Sequence, residues 1–163
     1  MAERLALRSG IGYDSHRFAP GGPLVLGGVR IPSAVHLHGH SDGDAIAHAV
    51  TDAILGAAAL GDIGGMFSDA DSANAGRDSI EMLGLAAARV AAAGWRVGQV
   101  DVVVIAETPK IAAHRDAIRA RIGGAVGLAA EDVSIKGKTN EGMGFVGRGE
   151  GIACLATATL LRV

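Results

Sequence analysis

Cysteine is nearly absent from this chain of 163 residues. Cys154 stands alone, which excludes an internal disulfide framework and suits a reducing compartment. Aromatic residues are scarce too, at 3%, leaving too few rings for a base-stacking platform. Neither sign of charge dominates: 15 Lys and Arg against 17 Asp and Glu give a formal net charge of -2. That balance offers no basic footprint for nucleic acid or an anionic membrane. No run approaches the roughly 20 apolar residues that span a bilayer, and Met1-Ala2-Glu3-Arg4-Leu5 lacks the apolar core of a signal peptide. A cytoplasmic protein with neither nucleic-acid nor membrane partner is expected. Glycine is the one excess, 25 residues that cluster between patterned segments and read as turns or close backbone approaches.

Those segments predict one domain over residues 1–163. Leu5 to Asp14 reads as a strand. Leu24-Val25-Leu26 and Val29-Arg30-Ile31 flank Gly27-Gly28 as a hairpin that Pro32 ends. Ile46, Val50, Ala53, Ile54 and Ala57 recur at helix spacing between Asp44 and Leu60. A loop carrying Asp62, Asp69 and Asp71 follows, then a helix from the N-cap Asp78 to Ala93, stopped by Gly94. Val100 to Ala106 is a strand, Pro109 opens a third helix reaching Ile122, and Ser134-Ile135-Lys136 and Gly151 to Leu161 are strands. The predicted fold is α/β in two layers: a mixed sheet of four or five strands with helices on one face. On the last strand, Ile152, Cys154, Ala156, Ala158 and Leu160 share one face; Ala153, Leu155 and Leu161 share the other with Thr157 and Thr159. Neither face is polar, so the side without helices is expected to be covered by self-association or by a further helical layer.

Five of the six histidines fall between positions 16 and 48. Asp14 and His16 are two apart on a strand, hence on one face. Asp44, His48 and Asp52 form a polar stripe at i, i+4 and i+8 of an otherwise apolar helix. A buried helix carries such a stripe only where its polar groups have partners. Asp14, His16 and His48 make a three-ligand zinc site with an open fourth position, and Asp44 or Asp52 is placed to hold the far ring nitrogen of His48. Histidines satisfied by ordinary hydrogen bonds are the competing reading. His36, His38 and His114 receive no role.

His40-Ser41-Asp42-Gly43-Asp44 leads into a helix N-terminus, where hydroxyl and amide groups can seat a phosphate or merely cap the helix. Lys136-Gly137-Lys138-Thr139-Asn140-Glu141 offers positive charge to an anion and one oxygen ligand to a second divalent cation.

These segments together resemble the 2-C-methyl-D-erythritol 2,4-cyclodiphosphate synthase family of the non-mevalonate isoprenoid pathway. The resemblance is carried by Gly12-Tyr13-Asp14-Ser15-His16, His40-Ser41-Asp42-Gly43-Asp44 with His48, Leu60-Gly61-Asp62-Ile63-Gly64, Pro109-Lys110, and Gly144-Phe145-Val146-Gly147-Arg148-Gly149-Glu150-Gly151. It implies a homotrimer with its sheets around the threefold axis and active sites between subunits. It implies zinc on Asp14, His16 and His48, and a second cation, magnesium or manganese, on Glu141. His40 and Ser41 would meet the phosphates, Asp62, Ile63 and Gly64 the methylerythritol phosphate, and Phe67, Ser68, Asp69, Ala70 and Asp71 would close over that end. Ala106, Glu107, Thr108, Pro109, Lys110, Ile111 and Ala112 would line a cytosine pocket. Lys138, Thr139, Asn140 and Glu141 would meet the diphosphate, with Thr139 polarising it; His40 and Thr139 are the catalytic candidates. Phe145 and Arg148 would face substrate or an axial cavity able to take an isoprenoid diphosphate. Gly137, Lys138, Asn140 and Ser68 depart from the commonest pattern of that family.

The implied reaction is intramolecular: the 2-phosphate of a CDP-linked methylerythritol attacks the β-phosphorus and CMP leaves. It fits the lack of an activated serine or cysteine nucleophile, because the attacking phosphate is already anionic. A zinc-dependent phosphohydrolase and a zinc-stabilised isoprenoid-diphosphate binder are the competing readings.

Overall fold

The computed structural model describes residues 6–163; Met1 to Leu5, including the residue expected to open the first strand, lie outside them. That strand, β1, spans Leu7–Pro20, well past its predicted end at Asp14. Its alternation of exposed and sheltered positions continues to Arg17, so Asp14 and His16 sit within a strand rather than at its tip. The hairpin forms as predicted, β2 (Leu24–Leu26) against β3 (Val29–Ile31), with Gly27 and Gly28 at φ 56° and 73°. Both glycines need that left-handed region to match the twist of the strands.

A short strand, β4 (Val35–Leu37), then pairs with the end of β1. Three residues including His36 are too few to show a period. Next come α1 (Ala45–Ala58), α2 (Ile63–Met66), a 3-10 turn at Ser72–Asn74 and α3 (Ser79–Ala92). The stretch expected to be plain loop is therefore part helical, with Asp62 and Asp71 accepting from Gly65 N and Ala73 N as local caps.

β5 (Trp95–Ile105) starts earlier than predicted, because Gly98 breaks the β-branched run where the register against the last strand shifts. The third long helix, α4 (Arg115–Val126), starts later. Lys110 remains extended at ψ 112° after Pro109, a single 3-10 turn covers Ile111–Ala113, and His114 caps the helix instead of lying within it. β6 (Val133–Lys138), the one-turn α5 (Gly144–Gly147) and β7 (Gly151–Arg162) complete the order.

Five strands form one mixed sheet in the order β4-β1-β7-β5-β6, antiparallel except for β5 and β6. The two-layer expectation holds. Ile152, Cys154, Ala156, Ala158 and Leu160 are all buried beneath the helices. The placement of α1 on the sheet comes from glycine. A Cβ on Gly12 would lie 1.9 Å from the Ala49 carbonyl oxygen, and one on Gly10 would lie 2.2 Å from that of Ala53. Position 10 meets 53 and 57 while position 12 meets 49 and 53, so α1 runs antiparallel to β1. One helical turn further on, His48 arrives above Asp14.

The opposite sheet face is largely bare, although Ala153 on it is buried. Leu7, Ile11 and Tyr13 are each more than half exposed, and Leu155, the register partner of Tyr13, is 38% exposed. Among the described residues no helix is long and apolar enough to cross a membrane.

Candidate metal centre

Three donor atoms converge where α1 crosses β1. Asp14 Oδ2 lies 2.8 Å from His16 Nε2 and 3.1 Å from His48 Nδ1, and the two ring nitrogens are 3.1 Å apart. A tetrahedral ion with bonds of about 2.0–2.1 Å separates its ligands by roughly 3.3 Å, so the triangle is close to the size that zinc requires.

Hydrogen bonding at the far side of each ring places a proton there, so a neutral ring turns its lone pair to the inner side. His16 Nδ1 lies 2.8 Å from the carbonyl oxygen of His38, which only accepts; Nδ1 therefore carries the proton. His48 Nε2 lies 2.8 Å from Ser79 Oγ and 2.9 Å from Ser41 Oγ. Ser79 gives its own hydroxyl proton to Asp42 Oδ1, so it accepts from His48 and Nε2 carries the proton. Two imidazole lone pairs and a carboxylate oxygen facing one another at 3 Å repel unless a cation lies among them.

A bound proton is the substitute when metal is lacking. Burial pushes the Asp14 carboxyl up, but hydrogen bonds from His16 and His48 outweigh it and leave the group below its ordinary value. Burial lowers the His16 ring, and Asp14 more than restores it, leaving His16 above its ordinary value.

Asp44 and Asp52 do not hold His48. Asp44, fully buried, caps α1 and accepts from Gly27 N at 2.8 Å, Gly28 N at 2.6 Å and Ala47 N at 3.1 Å. Burial raises its carboxyl, the three amides pull it down and Asp42 pushes it up again; the net direction is upward. Asp52 accepts from Ile63 N at 2.8 Å and so anchors α2. The polar stripe is genuine, but only its middle member faces the ligand cavity. Asp44→Asn turns an amide against at least one buried N–H and should cost about 2–3 kcal/mol. That is a fall of roughly 4–12 °C in Tm, read by calorimetry. An unchanged Tm would show that the hairpin is not held through this carboxylate.

The metal triangle opens into a cavity of about 200 Å³ that includes His40, Ser41, Ile63, Gly64, Phe67 and Asp69 from the predicted set. Asn74 and Met82 also line it and were missed; Asn74, whose Nδ2 donates to Ser68 O, is a buried polar residue just beyond the loop residues expected to meet substrate. Asp62, Ser68, Ala70 and Asp71 do not line it. Their side chains or amides serve the local turns.

The loop expected to hold cytosine forms a second cavity, about 250 Å³, with Ala106, Pro109, Lys110, Ile111, Ala112, Lys138 and Thr139 among its walls. Thr108 instead borders an apolar recess with Phe18. Glu107 turns away as well: its Oε1 accepts from Asn140 N at 2.9 Å and braces the loop in which Glu141 stands at φ 51°. Thr139 Oγ1 donates to Glu141 Oε1 at 3.2 Å. Phe145 borders a third hollow, about 640 Å³, that also touches His16. Arg148 is paired with Glu150 at 2.6 Å on the surface. No residue is shared by the metal cavity and the Lys110 cavity.

A candidate three-ligand metal site open to a cavity, set on the helical side of a mixed sheet, is the arrangement of an α/β enzyme. Within that class the chain belongs to the YgbB family, whose model matches residues 7–161. The chain is 60% identical over 159 residues to the 2-C-methyl-D-erythritol 2,4-cyclodiphosphate synthase of Gemmatimonas aurantiaca, covering 98% of this chain and 96% of that one. It is 54% identical over 155 residues to that of Burkholderia ambifaria, covering 95% and 96%. Among solved structures, the Plasmodium falciparum IspF CDP complex superposes with a TM-score of 0.85 at 34% identity, over 98% of this chain and 99% of that chain. The bifunctional IspDF of Campylobacter jejuni superposes with a TM-score of 0.93 at 38% identity. That match covers 96% of this chain, which spans 42% of the bifunctional protein.

Proposed function

We propose that this chain converts 4-diphosphocytidyl-2-C-methyl-D-erythritol 2-phosphate to 2-C-methyl-D-erythritol 2,4-cyclodiphosphate and CMP, as a phosphorus-oxygen lyase of isoprenoid precursor biosynthesis. The observation that carries the reading is the converging triangle of Asp14, His16 and His48 beside a helix N-terminus. Its donor set suits zinc, and a second cation, magnesium or manganese, belongs on Glu141. When bound, these ions supply charge neutralisation at the diphosphate.

The rest is the work of the chain's own residues. His40 and Ser41 bind the phosphates, and Asp62, Ile63 and Gly64 hold the methylerythritol end. Lys138 and Thr139 orient the diphosphate so that a 2-phosphate oxygen stands in line with the β-phosphorus. The new P–O bond forms as the bond to CMP breaks, and CMP leaves with the electron pair and needs no enzyme nucleophile. Cys154 is unsuited to that role, since burial holds its thiol well above the ordinary value.

The working assembly is a homotrimer in the cytoplasm, built from one domain per chain. Its support is the uncovered row of Leu7, Ile11, Tyr13 and Leu155, together with the separation of the metal and cytosine cavities, which a neighbouring copy would bridge. Phe145 and Arg148 then face an axial cavity that takes an isoprenoid diphosphate.

Phosphorus NMR of the purified protein with the CDP-linked substrate and both cations tests the activity. Cyclic diphosphate and CMP are expected; inorganic phosphate or a linear product would point to hydrolysis instead. Assembly is tested separately. Leu155→Glu buries an unpaired charge in the trimer and should weaken association by about 3 kcal/mol or more, over a hundredfold. Sedimentation of a monomeric parent protein would overturn the trimer.

A further inference from the structure

One chain of hydrogen bonds behind the metal triangle is explained by neither capping nor ligation. Ser79, the fully buried first residue of α3, gives its hydroxyl proton to Asp42 Oδ1. Asp42 is committed as an acceptor, because its Oδ1 also takes Asp44 N at 3.1 Å and its Oδ2 takes Ser79 N at 3.1 Å. With its proton so directed, Ser79 Oγ can only accept from His48 Nε2 at 2.8 Å. The same ring N–H lies 2.9 Å from Ser41 Oγ. Ser41 is thereby an acceptor toward His48; Ser79 Oγ lies 3.4 Å away, a long contact for a hydroxyl pair, which leaves the Ser41 proton available to the metal cavity that it lines.

The cap of α3 is supplied by Asp78, whose Oδ1 accepts from Ile80 N and Glu81 N. The Ser79 hydroxyl is therefore not needed to end the helix. Helix propensity alone favours alanine at this position.

We infer that Ser79 and Asp42 are positioning residues that lock His48 as the Nε2–H tautomer, present its Nδ1 lone pair to the metal, and turn the Ser41 hydroxyl outward as a donor to a substrate phosphate oxygen. The inference rests on the metal reading of Asp14, His16 and His48. It adds a polarity that runs from Asp42 through Ser79 and His48 to Ser41. Reversing any link reverses the rest: a proton given by Ser79 to His48 moves the ring proton to Nδ1, where it occupies the ligand position. Outer partners of metal-bound histidines typically contribute about 10- to 100-fold to metal affinity.

Two variants separate this role from packing. Ser79→Ala removes the acceptor while leaving Ser41. Asp42→Asn can place an amide N–H against Ser79 Oγ, which frees the serine to donate to His48 and inverts the chain. Zinc affinity of the purified protein, measured by competition with a chromophoric chelator, is expected to fall by about 10- to 100-fold in both, with Asp42→Asn at the larger end. Nitrogen-15 NMR of histidine-labelled parent protein should show His48 with a protonated Nε2 and a zinc-shifted Nδ1. The metal-free Asp42→Asn protein should show His48 moved toward the Nδ1–H form, a change that a packing defect does not produce.

The parent spectrum needs no variant to fold. A His48 bound to zinc through Nε2 would overturn the inference, as would zinc affinity within twofold of the parent in both variants. A parent that takes up no zinc would overturn the metal reading and this inference with it.

Discussion

His48→Ala abolishes metal binding and turnover together while leaving the fold intact. Removing one of three protein ligands leaves Asp14 and His16, a pair that competes poorly with water for zinc. The loss of affinity should exceed the roughly 10- to 100-fold typical of an outer partner. Activity should fall at least about a thousandfold, because Lewis-acid stabilisation is worth several kcal/mol. The helix should survive: α1 is rich in alanine around this position, and the core residues Ile46 and Val50 on either side are untouched. Ser41 and Ser79, 3.4 Å apart, remain as partners for each other and for Asp42. Metal content per chain, the phosphorus NMR assay and thermal unfolding of the metal-free protein read the three parts separately. A variant with full metal content would show that the ion is held elsewhere; a variant that fails to fold would show that His48 is chiefly structural.

Much of this centre is legible in the amino-acid sequence. Period two puts Asp14 and His16 on one side of a strand, and period 3.6 puts a polar stripe on α1. Such local rules are insensitive to where the strand ends, so extending β1 to Pro20 changed neither residue's direction. What could not be read was how the stripe divides. The choice among Asp44, His48 and Asp52 depends on which neighbours approach each one. Those neighbours are the hairpin at Gly27 and Gly28, the start of α3 at Ser79 and the start of α2 at Ile63, from 11 to 31 positions away. Ser79 gave no signal of its own, since a serine after an N-cap aspartate is ordinary helix-opening sequence.

The sheet was legible where β-branched residues run unbroken and obscure where they do not. Val100 to Ala106 announced the centre of β5, but Gly98 concealed its first residues; the strand forms regardless because Trp95 and Val97 are buried against the core. Pro109 carried a helix-opening signal that tertiary context overrode, as the chain stays extended through Lys110 to shape the second cavity. Of the second apolar face read on β7, Leu155 is exposed and Leu161 half-buried, whereas Ala153 is buried. β1 supplies the rest of it, with Tyr13 opposite Leu155 and Leu7 opposite Leu161.

Gly12→Ala is the substitution expected to damage fold and centre at once. A methyl there would sit 1.9 Å from the Ala49 carbonyl oxygen and 2.9 Å from Ala53 N, both backbone atoms of a buried helix that no rotamer change can move aside. Restoring ordinary contact requires α1 to lift by roughly 1.5 Å, far more than a close-packed interior yields without loss. Overpacking by a methylene costs about 1–3 kcal/mol when side chains can adjust. Here only backbone can, so more than about 3 kcal/mol is expected, a fall of at least roughly 6–12 °C in Tm. The same displacement carries His48 away from Asp14 and His16 and opens the donor triangle, so zinc affinity should drop by more than tenfold even in whatever fraction stays folded. Gly124→Ala is the matched control. Gly124 lies exposed within α4 with nothing within 4 Å of an added Cβ, and alanine there should stabilise by up to about 1 kcal/mol through helix propensity. If Gly12→Ala melts within about 2 °C of the parent, on the order of the shift that 1 kcal/mol produces, and binds zinc equally well, then the glycine-mediated approach of α1 to β1 is not what builds the metal centre.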